Sequence, residues 1–298
     1  MALRLSVPSK TFLLGEYAVL HQHPALVINT KPYFSLTIKK GNAELINISE
    51  ASPAAKFFDD EIETFKHYKI EFHDPYLGRG GFGASSAQFM MLYQLRFPSH
   101  DLLKLMSAYK SYHQCKQGIS PSGADVAAQF TGGITLVNPK TATTVSYQWP
   151  FSNLSFGLFH TGNKTKTHEH LQQLKISVSL TSHLDELTKQ GIKAFSINNN
   201  EMLVAAVNDY ADYLFQNNLT SSHTTILLSD LKKLTWVMAA KGCGALGNDI
   251  ILVLFSSEFM AQFKTWCEKH HFFYVTQTQL SSTGLTRNLY EMVDTGTV

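Results

Sequence analysis

Ten residues, Gly78 to Ala87, hold four glycines, two alanines and two serines. They constrain this chain more than any other stretch. Glycine accepts positive φ and lets backbone N–H groups approach a ligand with no Cβ in the way. The apolar run from Phe89 to Leu95 predicts a helix opening directly after the loop. The first turn of such a helix adds unpaired N–H groups and the positive end of its dipole. The stretch therefore predicts an anion cradle of the kind that holds phosphate, with Ser85 and Ser86 placed to cap the helix or reach a metal.

Residues 78–83 satisfy G-x-G-x-x-G, and Asp101 lies downstream where a ribose-binding acid would sit in a dinucleotide fold. The context argues against that fold. Pro75 interrupts a short Ile70–Phe72 run before the loop, and no second strand precedes Asp101. A Walker A loop needs Gly-Lys-Ser/Thr, which is absent, and a protein-kinase glycine loop lies between two strands. A tight packing turn is the plain alternative, and four glycines in six residues weigh against it.

The remainder of the 298 residues suits a compact enzyme of two lobes: 44% are hydrophobic and 16% charged, with a net charge of +2. No dense Lys/Arg run marks a nucleic-acid or anionic-membrane surface. His168-Glu169-His170 places its histidines two apart, on different sides of a helix, and reads as solvated surface. Three cysteines, Cys115, Cys243 and Cys267, make no disulfide framework, so a reducing cytoplasm is expected. No apolar run reaches membrane-spanning length.

In chain order the pattern predicts strands at 3–7, 12–20, 25–29, 33–39 and 43–48, a helix over 54–69, and helices after the loop to about Phe97, from Asp101 to about Lys116, and over 122–130. Strands at 134–137 and 143–149 lead to a boundary near Pro150–Ser155. Beyond it come a strand at 156–160, helix over most of 165–187, helices at 198–215 and 222–238, a strand at 250–255, a helix at 259–269 and a strand at 272–276. Irregular alternation of both kinds predicts α+β lobes rather than one parallel sheet.

Three further stretches join the loop. They are Pro8-Ser9-Lys10-Thr11 running to Leu20, Ser120-Pro121-Ser122-Gly123-Ala124-Asp125 running to Ala128, and Lys241-Gly242-Cys243-Gly244 running to Asp249. In this order the four resemble the motifs of the GHMP kinases, the superfamily of galactokinase, homoserine kinase, mevalonate kinase and phosphomevalonate kinase. The resemblance spans residues 8 to 249. It implies an α+β, two-lobed fold: an N-terminal ATP-binding lobe like ribosomal protein S5 domain 2 over 1–152, and a ferredoxin-like lobe over 153–298.

It also implies roles. Gly78, Gly80, Gly81, Gly83, Ala84, Ser85 and Ser86 would hold ATP, with Ser85 as Mg2+ ligand. Asp125 would be the general base towards an alcohol, with Lys10 beside it keeping the carboxylate ionised. Lys10, Glu16, Tyr17, Ser122, Gly123, Thr167, Gly244 and Gly247 would line the substrate, Thr167 through Thr161-Gly162-Asn163-Lys164-Thr165-Lys166-Thr167. Gln114 stands where a second, carboxylate metal ligand is expected, and an amide is the poorer Mg2+ ligand. Ala245-Leu246 departs from the usual glycine run.

The spacing His21-Gln22-His23 before Pro24 resembles mevalonate kinase, whereas Gln114 and Ser122 to Ala128 look more like phosphomevalonate kinase. A phosphorylated acceptor would need added cations, for which Lys31, Lys164 and Lys166 are candidates. Mevalonate is the first expectation and phosphomevalonate the second. Mevalonate-diphosphate decarboxylase and a catalytically silent ligand sensor are the other readings. The expected protein is cytoplasmic and free of nucleic-acid and membrane partners, and a homodimer is compatible with it.

Overall fold

The computed structural model describes residues 2–113, 121–162 and 176–290. Two sheets organise it. The first has the order β11-β1-β2-β4-β3, and β2 also pairs β5, which pairs β6. Its strands are β1 (Ala2–Leu14), β2 (Ala25–Lys40), β3 (Glu44–Ile46), β4 (Tyr68–His73), β5 (Ile134–Asn138), β6 (Thr143–Tyr147) and β11 (Thr286–Tyr290). The second sheet, in the order β10-β7-β9-β8, contains β7 (Leu154–His160), β8 (Val237–Cys243), β9 (Ile250–Ser256) and β10 (Tyr274–Thr276).

β1 and β2 are longer than the predicted strands because each continues across a proline. Pro8 has no N–H for the ladder, and β1 answers with a register shift between Val7 and Ser9. The register then runs on to Leu14↔Leu26. The predicted strand to Leu20 stops at Leu14 because Gly15 turns at φ 101, and a Cβ there would lie 2.7 Å from the Ala25 Cα. Residues 18–21 are one 3-10 turn instead.

The predicted helix over 54–69 is three elements: α1 (Pro53–Asp60), α2 (Ile62–Phe65) and then β4. After the glycine loop come α3 (Ala84–Arg96), α4 (Leu102–Tyr112) and α5 (Ala124–Thr131). Asp101 caps α4 through a bond from the Lys104 N–H, 3.0 Å. The helices α6 (Val178–Ile197), α7 (Asn200–Gln216), α8 (Ser222–Lys232) and α9 (Met260–Lys269) cover the second sheet and its junction with the first. The predicted helix over 222–238 ends at Lys232, and the chain becomes a strand that sequence reading missed, β8. The predicted helix over 165–187 falls partly on 163–175, outside the described residues.

One core runs through both sheets. In β9 the alternation divides cleanly. Ile250, Leu252 and Leu254 enter that core, while Ile251, Val253 and Phe255 join Phe159, Phe263 and Cys267 on the opposite face. A strand covered on both faces needs an unbroken apolar run, which explains the string of β-formers there. Among the described residues, no helix is long and apolar enough to cross a membrane.

Candidate active site

The glycine loop is built from its flanks inward. After β4 the Asp74 carboxylate accepts from the N–H groups of Tyr76 and Gly78, each at 2.8 Å, and turns the chain. The Tyr76 ring stacks on Phe82 at 4.1 Å, and its hydroxyl donates to the Pro32 carbonyl. Phe82 thus anchors the loop from below, and its carbonyl accepts the Lys10 N–H at 2.9 Å. Gly78, Gly81 and Gly83 take φ of 77, 82 and 88°, where a side chain is strained. At Gly81 a Cβ would meet Ile250 Cγ1 at 2.5 Å, and at Gly83 it would meet Lys10 Cγ at 2.7 Å. Gly83 is the N-cap of α3, and no side chain among the described residues caps that first turn. Ser85 is exposed there, whereas Ser86 is 1% exposed, with its hydroxyl 2.6 Å from Gln129 Oε1.

A second helix starts beside it. Gly123, at φ 79°, precedes α5, and the Ser122 hydroxyl accepts the Ala124 N–H. Asp125 lies in the first turn of α5 and is partly exposed. Its Oδ1 accepts the Val126 N–H and its Oδ2 the Tyr109 hydroxyl, both at 3.1 Å. One turn on, buried Gln129 donates to the carbonyls of Pro8, 2.9 Å, and Gly83, 3.2 Å. It ties β1, α3 and α5 together. Two positive helix ends therefore face the same region, a favourable field for negative charge.

Lys10 reaches this region but makes no ion pair with Asp125 among the described residues. Its ammonium lies 4.9 Å from the centre of the Phe12 ring, with its stem against Gly83. Glu16 is committed elsewhere. Its Oε1 accepts from the Nζ of Lys241 on β8, both side chains being almost fully buried, and its Oε2 has no partner among the described residues. Burial works against the Lys241 charge. The neighbouring Cys243 and Glu16 outweigh it, and the Lys241 pKa is raised. Burial also pushes the Cys243 thiol up to about 11, so near neutral pH the negative partner is Glu16.

Tyr17, next in the chain, accepts the Leu246 N–H on its hydroxyl at 3.0 Å. That bond holds the late loop, in which Gly244, Leu246 and Gly247 all have positive φ. Leu246 stands in the left-handed region at φ 55°, where a side chain is costly. The bond from Tyr17 and another between Leu246 O and the Ser221 N–H, 3.0 Å, hold it there. The loop returns to the glycine cradle through Asp249, whose Cβ would be 2.7 Å from a Cβ on Gly81. The Thr161 N–H donates to the Asp249 carbonyl at 3.0 Å.

The fold thus gathers the glycine loop, Lys10, Ser122–Asp125, Thr161–Gly162 and Gly244–Asp249 into one region, and holds Glu16 in an inter-sheet ion pair at its border. Gln114, Lys164, Lys166, Thr167 and His168–His170 lie outside the described residues. Sequence reasoning missed Gln129, Lys241 and Tyr109. Gln129 was legible as the single polar residue in Val126 to Phe130. Lys241 opens the late motif and carries no assigned role there. Tyr109 had no signal at all, because only the packing of α4 against α3 and α5 brings it to Asp125.

The residues present suit a nucleotide triphosphate with its cation: an uncapped helix start, a glycine loop closed from behind and an exposed hydroxyl on the first turn. No family model matches the sequence. No curated protein matches it either. Solved structures match along nearly the whole chain. The galactokinase of Lactococcus lactis, complexed with galactose, is 11% identical with a TM-score of 0.75, covering 96% of this chain and 95% of its own. The phosphomevalonate kinase of Streptococcus pneumoniae, with phosphomevalonate and AMPPNP, is 15% identical with a TM-score of 0.71, covering 92% and 99%. The mevalonate kinase of Methanococcus jannaschii is 15% identical with a TM-score of 0.68, covering 92% and 96%. The chain has the fold of the GHMP kinases.

Proposed function

We propose that this protein is an ATP- and Mg2+-dependent kinase that transfers the γ-phosphoryl group to the hydroxyl of a small molecule. The acceptor is mevalonate first and phosphomevalonate second. One observation carries the reading: the uncapped start of α3, with its glycine loop and exposed Ser85, opens beside the start of α5 with Asp125. A fold alone does not assign chemistry. This juxtaposition supports the reading, because phosphoryl transfer to an alcohol needs a phosphate cradle and a carboxylate within one small volume.

In this mechanism the N–H groups of the loop and of the first turn of α3 hold the phosphates, and Ser85 holds the cation. Mg2+, when bound, neutralises charge on the phosphate oxygens. Asp125 takes the proton of the acceptor hydroxyl as the new P–O bond forms and the bond to the ADP oxygen breaks. Lys10 adds a positive charge near the developing alkoxide. Ser122, Gly123, Gly244 and Gly247 face the acceptor, with Glu16 and Tyr17 supporting that wall from behind, and the resemblance alone adds Thr167 to the acceptor set. The division into lobes at 1–152 and 153–298, a cytoplasmic location and a homodimeric state belong to the same reading.

ADP release from ATP-Mg2+ is measured with mevalonate, phosphomevalonate, homoserine and galactose side by side. Mevalonate is expected to give the highest kcat/KM. Substrate-dependent ADP with none of them would favour a ligand sensor. Phosphate and CO2 formed from mevalonate diphosphate would favour a decarboxylase.

A further inference from the structure

Gln129 is fully buried, one turn after Asp125 on α5, and both ends of its side-chain amide are engaged. Nε2 donates to the carbonyls of Pro8, 2.9 Å, and Gly83, 3.2 Å, while Oε1 accepts the Ser86 hydroxyl at 2.6 Å. Two carbonyls at one end and a hydroxyl at the other fix which way round the amide lies. Pro8 stands at the register shift of β1, two residues before Lys10, where pairing with β2 is interrupted. One buried amide thus joins the strand of Lys10, the end of the glycine loop and the helix of Asp125.

Gly83 closes the loop in the left-handed region, at φ 88° and ψ 33°, and Ala84 begins the helix. Such a pair turns successive N–H groups into one concavity that suits an anion. In a trans peptide the carbonyl points opposite to the N–H, so the concavity lasts only while these carbonyls face the interior. The Lys10 N–H holds the Phe82 carbonyl at 2.9 Å. The Gly83 carbonyl receives Gln129 Nε2 beside the Ala87 N–H of its own helix, 3.0 Å. Ser86 Oγ also lies 3.0 Å from that carbonyl, but the shorter bond draws its one proton to Gln129 Oε1. We infer that Gln129 is a positioning residue: it pins the Gly83–Ala84 peptide with its carbonyl inward, which keeps the Ala84 N–H aimed at the phosphates. That the anion is a nucleotide phosphate rests on the kinase reading, and the direction of the peptide rests on the hydrogen bonds.

The test compares wild type, Gln129→Met, Ser86→Ala and the double variant. Methionine keeps the length of the side chain and removes both donors. Affinities for adenosine and for a non-hydrolysable ATP analogue are titrated in EDTA, so that the N–H groups act without a metal. Gln129→Met should bind the analogue about 10-fold more weakly, the worth of roughly one hydrogen bond to a charged group, with adenosine affinity unchanged. Ser86→Ala alone should cost little. In Gln129→Met the freed Ser86 proton turns to the Gly83 carbonyl, so the double variant should lose clearly more than the two single losses combined. Leu231→Ala, on α8 in the second apolar cluster, is the stability control: it lowers the melting temperature and should bind both ligands as wild type does. Gln129→Asn, whose amide is one carbon shorter, should show the same selective loss and serves if the methionine variant does not fold.

Unchanged analogue affinity in Gln129→Met, an equal weakening of adenosine, or the same weakening in Leu231→Ala overturns the inference. So does a wild type that holds the analogue only when Mg2+ is present. A wild type that binds the analogue but phosphorylates no alcohol overturns the kinase reading alone, and the titrations then decide on Gln129 by themselves.

Discussion

Ser85 and Ser86 are interchangeable in the sequence, and burial separates them. Ser85 is exposed at the start of α3, while Ser86 is buried against Gln129. The carboxylate was legible because Asp125 sits in a Ser-Gly-x-Asp turn, but its partner Tyr109 was not, since no local pattern encodes a contact made through tertiary packing. If Asp125 accepts the proton, Asp125→Asn should lower kcat by about 10²- to 10⁴-fold and leave nucleotide affinity within a small factor. Steady-state kinetics beside equilibrium nucleotide binding measures both, and near wild-type turnover would exclude Asp125 as the base. Glycine positions can be graded in the same way. Gly81→Ala adds a methyl 2.5 Å from Ile250 Cγ1, whereas a methyl on Gly78 meets none of the described residues within 4 Å and carries the strain of its positive φ. Gly81→Ala should weaken ATP-analogue binding by tenfold or more (on the order of the 1.4 kcal/mol that a decade requires), and Gly78→Ala clearly less. Calorimetric titration of the two variants checks the order.

Among the elements, β8 shows where pattern reading stopped. Ser222 to Met238 looks helical throughout, yet Val237 pairs with Phe255 and the strand runs on to Cys243. Strand identity there comes from pairing with β9, a non-local cause that a window of sequence does not contain. The gain is Lys241, whose Nζ meets Glu16 just beyond β1 and so links the two sheets. Removing one member of a buried pair leaves the other charge uncompensated, so Lys241→Met should destabilise the fold by about 3–5 kcal/mol. Glu16→Gln/Lys241→Met should recover much of that loss, and denaturant unfolding of the three proteins measures it. The pair also has a pH signature. The Lys241 pKa is raised in the folded state, so its contribution is complete below its unfolded value of about 10.5 and is lost as pH rises through the folded value. Buried Tyr17 and Tyr76, raised chiefly by burial, act in the same direction. The difference between wild type and Lys241→Met therefore isolates the lysine: it should narrow above that value.

For the molecule as a whole, α+β character was legible from the periodicity of its segments, and the four motifs from their resemblance to a known family. The long strands and the last crossing were not, because they depend on partners far away in the chain. After β10 the backbone passes across the start of β5. The Gly133 N–H donates to the Ser281 carbonyl at 2.7 Å, and a Cβ on Gly284 would lie 2.0 Å from the Phe130 carbonyl. β11 then pairs along β1 from Ser6↔Thr286 to Ala2↔Tyr290. Ending the chain after Leu280 should lower the melting temperature by more than about 5 °C, equivalent to at least about 2 kcal/mol for a domain of this size, and scanning calorimetry measures it. Synthesis gives the same crossing another meaning. β1, which carries Lys10, leaves the ribosome long before β11, the strand that covers its outer edge. Between the two events that edge stays open to pairing with other chains. Chaperone dependence during expression should then fall on this interval, and ribosome-stalled chains ending before β11 are the species to examine.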